Sequence, residues 1–175
     1  MNLEDALSLI RDIPDYPKLG ILFKDITPLL ANPSAYSTVI KAFASKIDDV
    51  DVIAGIEARG FIFAAAIALE KNAGFVPFRK SGKLPFETIG AKYGLEYGED
   101  EIEVHVDAFT NGKSVVIVDD VLATGGTICA ALELAERAGA KVESVLVLFE
   151  IAGLGGRQQL AAKYPNVEIR SLVTS

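Results

Sequence analysis
The stretch Val115-Val116-Ile117-Val118-Asp119-Asp120-Val121-Leu122-Ala123-Thr124-Gly125-Gly126-Thr127 constrains this chain more than any other. Four β-branched apolar residues run directly into two acids, the pattern of a buried parallel strand whose last residues leave the core. Ala-Thr-Gly-Gly-Thr follows, and then an Ala/Leu/Glu-rich segment, Ile128 to Ala138, that reads as a helix closed by Gly139. The order is therefore strand, acidic end, glycine loop, helix N-terminus. Paired glycines let backbone N–H groups turn toward one point, and the helix dipole favours an anion there. Thr124 and Thr127 add hydroxyl donors. A terminal phosphate fits the loop, and the acids fit the hydroxyls of an attached sugar.

The spacing is not that of a Walker loop, Gly-x-x-x-x-Gly-Lys-Ser/Thr, nor of a Gly-x-Gly-x-x-Gly dinucleotide turn. The stretch closely resembles the signature by which type I phosphoribosyltransferases bind 5-phospho-α-D-ribose 1-diphosphate (PRPP).

Composition narrows the partners. A chain of 175 residues, 50% hydrophobic, suits one domain with a packed core. Twenty-four acids against seventeen bases leave a net charge of −7, which argues against nucleic acid or an anionic membrane as main partner. The single cysteine, Cys129, cannot form an internal disulfide; it reads as a small packed residue and favours a reducing cytoplasm. The start of the chain shows no signal-peptide apolar region, and the longest apolar run, Phe61 to Leu69, is too short to span a bilayer.

Taken in order, Leu3 to Asp12 places apolar residues on one helical face, and Pro14 and Pro17 end it. Gly20 to Leu30 reads as an extended arm followed by a turn. Ser34 to Ile47 is amphipathic and helical. Asp51 to Ile56 is a short buried strand, Glu57-Ala58-Arg59-Gly60 a tight turn, Phe61 to Asn72 a helix apolar almost all round, and Gly74 to Phe78 a strand. The next segment, Arg79 to Gly98, is basic at its start and weakly periodic. Residues Thr88 to Tyr97 and Glu101 to Val106 are expected to pair as an antiparallel hairpin across Gly98-Glu99-Asp100, forming a lid. Lys141 to Phe149 is a further buried strand, Leu154 to Lys163 a short helix, and Val167 to Val173 an edge strand. The predicted fold is α/β: an open, mostly parallel twisted sheet flanked by helices, in a single domain over residues 1–175. An N-terminal arm (1–33) and a flexible hairpin lid (79–106) belong to it.

Three loops then leave the carboxyl ends of strands: 57–60, 119–127 and 150–153. In an open parallel sheet these share the rim where ligands bind. Arg59, beside Gly60 at a helix N-terminus, would hold a second anion. Two anion sites on one rim suit a substrate with phosphates at both ends.

Beyond the PRPP signature, Phe23-Lys24-Asp25-Ile26-Thr27-Pro28, Gly55-Ile56-Glu57-Ala58-Arg59-Gly60-Phe61, Arg79-Lys80-Ser81-Gly82-Lys83-Leu84-Pro85, Leu95-Glu96-Tyr97-Gly98 and Glu150-Ile151-x-x-Leu154-x-Gly156-Arg157 together resemble the adenine-specific branch of the phosphoribosyltransferase family, along nearly the whole chain. The resemblance implies the Mg²⁺-dependent purine-salvage reaction adenine + PRPP → AMP + diphosphate, with the magnesium ion reached largely through substrate oxygens. It implies that Ala123, Thr124, Gly125, Gly126 and Thr127 bind the 5′-phosphate, that Asp119 and Asp120 bind the ribose, and that Arg59, Lys80, Lys83 and Arg79 meet the diphosphate. Phe23 would stack on adenine, main-chain groups of Leu22 and Lys24 would read its edge, and Ile151 would pack on its other face. Glu96 would be the base for the purine ring proton. Arginine is common in the family where this chain has Lys24. The resemblance also implies a non-proline cis peptide at Glu57-Ala58 and a homodimer in which Arg79 reaches a neighbouring site. Two other readings keep the PRPP loop: transfer to a different purine, against which the arm argues, and a PRPP-sensing regulator, for which the acidic chain offers no DNA-binding face.

Overall fold
The apolar run 115–118 lies in β7 (Ser114–Leu122), flanked by β3 (Val52–Ile56) and β8 (Lys141–Glu150), both parallel to it. Val115, Ile117 and Val118 are completely buried, as a central strand covered on both faces requires. Each such side chain contributes roughly 1.5–3 kcal/mol relative to exposure. The computed structural model describes residues 1–95, 98–110 and 112–174, which form two compact units, Met1–Lys46 and Ile47–Ser175.

Among the described residues, the larger unit holds a seven-stranded sheet. Besides β3, β7 and β8 it contains β4 (Gly74–Lys80), β5 (Thr88–Leu95), β6 (Gly98–His105) and β9 (Glu168–Thr174), in the order β5-β6-β4-β3-β7-β8-β9. The strands from β4 to β9 across the centre are parallel, and the β5–β6 pair joins antiparallel through Arg79↔Glu103 and Lys80↔Ile102. The helices of this unit are α4 (Arg59–Lys71), α5 (Gly126–Arg137) and α6 (Gly156–Lys163).

Two helices begin against backbone so closely that only glycine fits. At Gly60 a Cβ would stand 2.8 Å from the Val118 carbonyl oxygen, and at Gly156 only 2.2 Å from that of Ala123. α4 is thus seated on β7 just before its aspartates, and α6 on the start of the glycine loop. α4 buries Phe63, Ala64, Ile67 and Ala68, but leaves Leu69 86% exposed and Ile62 38% exposed, so apolar side chains reach its outer face.

The smaller unit contains α1 (Leu3–Leu7), β1 (Arg11–Pro14), β2 (Leu22–Asp25), α2 (Thr27–Ala31) and α3 (Pro33–Ala44). The helix expected over 3–12 stops at Leu7, because Arg11–Pro14 pairs antiparallel with β2 instead. Ten residues offered a helical face, but the last two, Arg11 and Asp12, take a strand partner downstream instead.

Two further expectations shift. β7 continues past the acids to Leu122, and Asp119 and Asp120 are buried rather than emerging into solvent. The hairpin forms, yet pairing persists to Leu95↔Gly98, so Gly98, Glu99 and Asp100 belong to its second strand. Asp100, which has the look of a turn former, instead sits in the ladder opposite Tyr93. Ala91, Tyr93, Ile102 and Val104 are buried, so the body of the hairpin is an integral edge of the sheet.

Candidate active site
The site grows from the end of β7. Asp119 accepts a 2.8 Å hydrogen bond from the Asp120 N–H, and Asp120 pairs with the Arg59 guanidinium at 2.9 Å. Burial drives the Asp119 carboxyl well above its ordinary pKa, and the adjacent Asp120 charge adds to this. Burial also raises Asp120, but Arg59 opposes the shift. The 2.9 Å contact with Arg59 thus favours the charged form of Asp120 against its burial.

Immediately beyond, Gly125 precedes α5 and the helix starts at Gly126 without a side-chain cap. Its first-turn N–H groups have no intrahelical acceptor, so they and the helix dipole remain available to an anion. A cavity of about 110 Å³ lies here, lined by Asp119, Val121 and the loop from Ala123 to Ile128. Gly126 approaches the hairpin through the Gly94 carbonyl and Tyr93, so β5 forms one wall beside the loop.

The expected rim is present. The Ile151 N–H donates to the Leu122 carbonyl at 2.9 Å, which fixes the loop after β8 to the end of β7. Arg157 of α6 grips Glu150 through Nε at 2.7 Å and through a second nitrogen, and its Nη1 donates to the Ile169 carbonyl at 2.7 Å. The guanidinium hydrogen bond holds the Glu150 carboxyl below its usual pKa. Glu150 and Arg157 carry no assignment from sequence beyond membership in a motif; their contact joins β8, α6 and β9 under the rim.

The remaining assigned bases lie at the end of β4. The Arg79 Nε is 3.3 Å from Glu57 Oε2, and its Nη1 donates to the Lys83 carbonyl at 3.1 Å. Lys80 Nζ contacts Asp100 and donates to the Tyr93 hydroxyl at 2.8 Å. Burial alone would depress the Lys80 ammonium, but these hydrogen bonds outweigh it and raise its pKa; the Lys80 contact in turn lowers that of Asp100. Tyr93 and Asp100 escape sequence reading because nothing local marks a lid tyrosine or aspartate as a lysine partner. The Glu57-Ala58 peptide is cis, as the resemblance implied. Glu96 lies outside the described residues.

In the N-terminal unit, Leu22, Phe23 and Lys24 lie together on β2. Phe23 meets Tyr16 edge-on at 5.2 Å between ring centroids. Lys24 Nζ pairs with Asp12 at 2.7 Å across the β1–β2 ladder, so its side chain is engaged within the arm.

The glycine loop, the two buried acids and Arg59 thus stand together at the end of β7, and the comparisons with known proteins place this arrangement in the phosphoribosyl transferase class. The family model for the phosphoribosyl transferase domain matches residues 25–172. The adenine phosphoribosyltransferase of Thermobifida fusca is 54% identical over 94% of this chain and 93% of its own length. Adenine phosphoribosyltransferase from Thermoanaerobacter pseudethanolicus superposes with a TM-score of 0.93 at 47% identity, covering 99% of this chain and 100% of the other. The Saccharomyces cerevisiae enzyme, solved in complex with adenine and an imino-altritol bisphosphate, gives 0.90 at 38% identity, covering 97% of each chain. The chain belongs to the adenine phosphoribosyltransferase family.

Proposed function
We propose that the protein transfers the phosphoribosyl group of PRPP to adenine, releasing AMP and diphosphate. The observation that carries this reading is the junction of the uncapped α5 N-terminus with the buried Asp119–Asp120–Arg59 cluster. An anion site and a sugar site adjoin there, with a cation beside them.

In this scheme Ala123 to Thr127 take the 5′-phosphate, and Asp119 and Asp120 accept from the ribose hydroxyls. Arg59, Lys80, Lys83 and Arg79 stabilise the departing diphosphate. The bond from the anomeric carbon to diphosphate breaks as the bond to the purine ring nitrogen forms, and Glu96 takes that nitrogen's proton. The positive charge that develops on the ribose is vulnerable to water. The β5–β6 hairpin, which walls the loop on one side, would limit the access of water. Phe23 stacks on adenine, Ile151 covers the opposite face, and backbone groups of Leu22 and Lys24 read the edge. The Lys24–Asp12 pair supports a backbone role, because it occupies the side chain elsewhere. A 6-oxo purine would present an acceptor to these carbonyls and be rejected.

Mg²⁺ suits the donor set. Asp119 and Asp120 supply hard oxygens, but the described residues contain no group of three or more metal-ligating side chains. Asp119 and Asp120 would help hold the ion beside the substrate, and it would supply charge neutralisation for the leaving group. The protein works in the cytoplasm as a homodimer, joined through surfaces such as the outer face of α4. Among the described residues, no helix is long and apolar enough to cross a membrane.

The decisive experiment supplies Mg²⁺ and PRPP with adenine, hypoxanthine, guanine or xanthine and follows nucleotide formation. AMP from adenine alone is the expected result. Turnover of a 6-oxo purine would overturn the assignment of the arm, and tight PRPP binding without product would overturn the catalytic role.

A further inference from the structure
Glu57 has no role in the scheme above, although it sits between two of its parts. The β3–β4 ladder ends at Ile56↔Phe78, and the Glu57 N–H adds one more bond to the Phe78 carbonyl at 2.9 Å. The chain then turns away through Ala58 toward Arg59 and the start of α4. Two residues further along β4, the Lys80 N–H finds no strand partner from β3. It donates instead to Glu57 Oε2 at 2.7 Å. The same oxygen receives Arg79 Nε at 3.3 Å, and Arg79 in turn donates to the Lys83 carbonyl, closing the turn through Ser81 and Gly82. The Glu57 side chain is 17% exposed, which strengthens both interactions relative to a surface pair.

We propose that Glu57 is a positioning residue that fixes the diphosphate-binding bases relative to one another, an inference that rests on the function proposed above. One carboxylate joins the strand end leading to Arg59 with the segment carrying Arg79, Lys80 and Lys83. By charge alone a carboxylate here opposes a diphosphate. Its contribution is therefore geometric: it substitutes for β3 on the side that β3 has left, while β6 pairs with Arg79 and Lys80 on the other. Arg79 completes the brace from the other side by fixing the Lys83 carbonyl.

The test compares Glu57→Gln and Glu57→Ala with the wild-type protein, measuring kcat, KM for each substrate, PRPP affinity by calorimetry, and thermal unfolding. The alanine change removes two acceptor contacts, one of them to a cation, so KM and Kd for PRPP should rise by about tenfold or more while KM for adenine moves less than roughly twofold. Glu57→Gln keeps an acceptor for the Lys80 N–H and loses the charge facing Arg79, so it should recover part of the PRPP affinity. Unchanged PRPP affinity in a folded Glu57→Ala protein would overturn the proposal. So would equal losses for both substrates accompanied by a lower unfolding temperature, the pattern of a purely structural residue. If Glu57→Ala does not fold, Glu57→Gln decides: wild-type PRPP affinity in that variant overturns the role. Absence of AMP formation by the wild-type protein would reject the proposed function instead, while the PRPP affinities would still report on Glu57.

Discussion
Asp119 serves two requirements that oppose each other. Its side chain is buried beside another acid, which makes its ionised form costly, yet a ribose hydroxyl is best received by a carboxylate. Asp119→Asn keeps an oxygen for the Asp120 N–H and removes the buried charge. It should weaken PRPP binding by about 1.5–3 kcal/mol, roughly ten- to a hundredfold, in calorimetric titration. The same change should raise the unfolding temperature at neutral pH. An acid whose pKa is raised in the folded state stabilises the fold at low pH and loses that contribution as pH climbs through the raised value. The advantage of Asp119→Asn should therefore shrink on acidification, where the wild-type side chain carries its own proton. Glu96→Gln should lower kcat on the order of a hundredfold with little change in PRPP affinity, as expected for loss of a general base, and a pre-steady-state assay would read it directly. At this scale the glycine loop, the acids and Arg59 are legible because their chemistry and spacing are local. The Arg59–Asp120 pair and the contact of Glu57 with Lys80 are not, because they join strand ends brought together only by the sheet.

Secondary-structure elements meet the phosphate loop through α6. Gly156→Ala would set a methyl group 2.2 Å from the Ala123 carbonyl oxygen, so either the helix or the loop must move. A loss of roughly 1–3 kcal/mol in stability is expected, together with a raised KM for PRPP. Denaturant titration and steady-state kinetics on the same sample check both. Arg157→Met tests the clamp on the other side of α6. It leaves Glu150 without its guanidinium and the Ile169 carbonyl without a donor, at a cost of about 1–3 kcal/mol near neutral pH. Because Arg157 lowers the Glu150 pKa in the folded state, that stabilisation exists above the ordinary glutamate range and fades as pH falls through the lowered value. Chemical denaturation at about pH 7 and about pH 3 should show the wild-type advantage narrowing at the acidic end. The central strands are readable from sequence because both faces are buried and their residues are β-branched. The hairpin's limits are less so: Glu99 and Asp100 have the composition of a turn but lie in a strand, and Arg11 and Asp12 take a strand partner over a helical face.

For the molecule as a whole, the proposed homodimer has a candidate docking surface in the exposed apolar side chains of α4. Ile62 and Leu69 stand seven residues apart on one side of that helix, and neighbouring Phe75 is 39% exposed and packed edge-on against Phe61. Leu69→Glu should shift the protein toward a monomer in sedimentation or light scattering without disturbing the monomer's fold. The α/β class and the rim of ligand-binding loops follow from the alternation of apolar runs and helical segments. The strand order and the division into two units do not, because they depend on pairings between distant residues. The β3–β7 junction is the clearest case: Asp51 and Ser114, at its start, are 63 residues apart and hydrogen-bonded to each other. Closing so long a loop is entropically slow compared with forming a helix or a hairpin. The phosphate loop exists only once β7 has seated between β3 and β8. A refolding chain should therefore regain helical signal and hairpin before it regains the proposed place for PRPP, and recovery of PRPP binding should mark the arrival of the native topology.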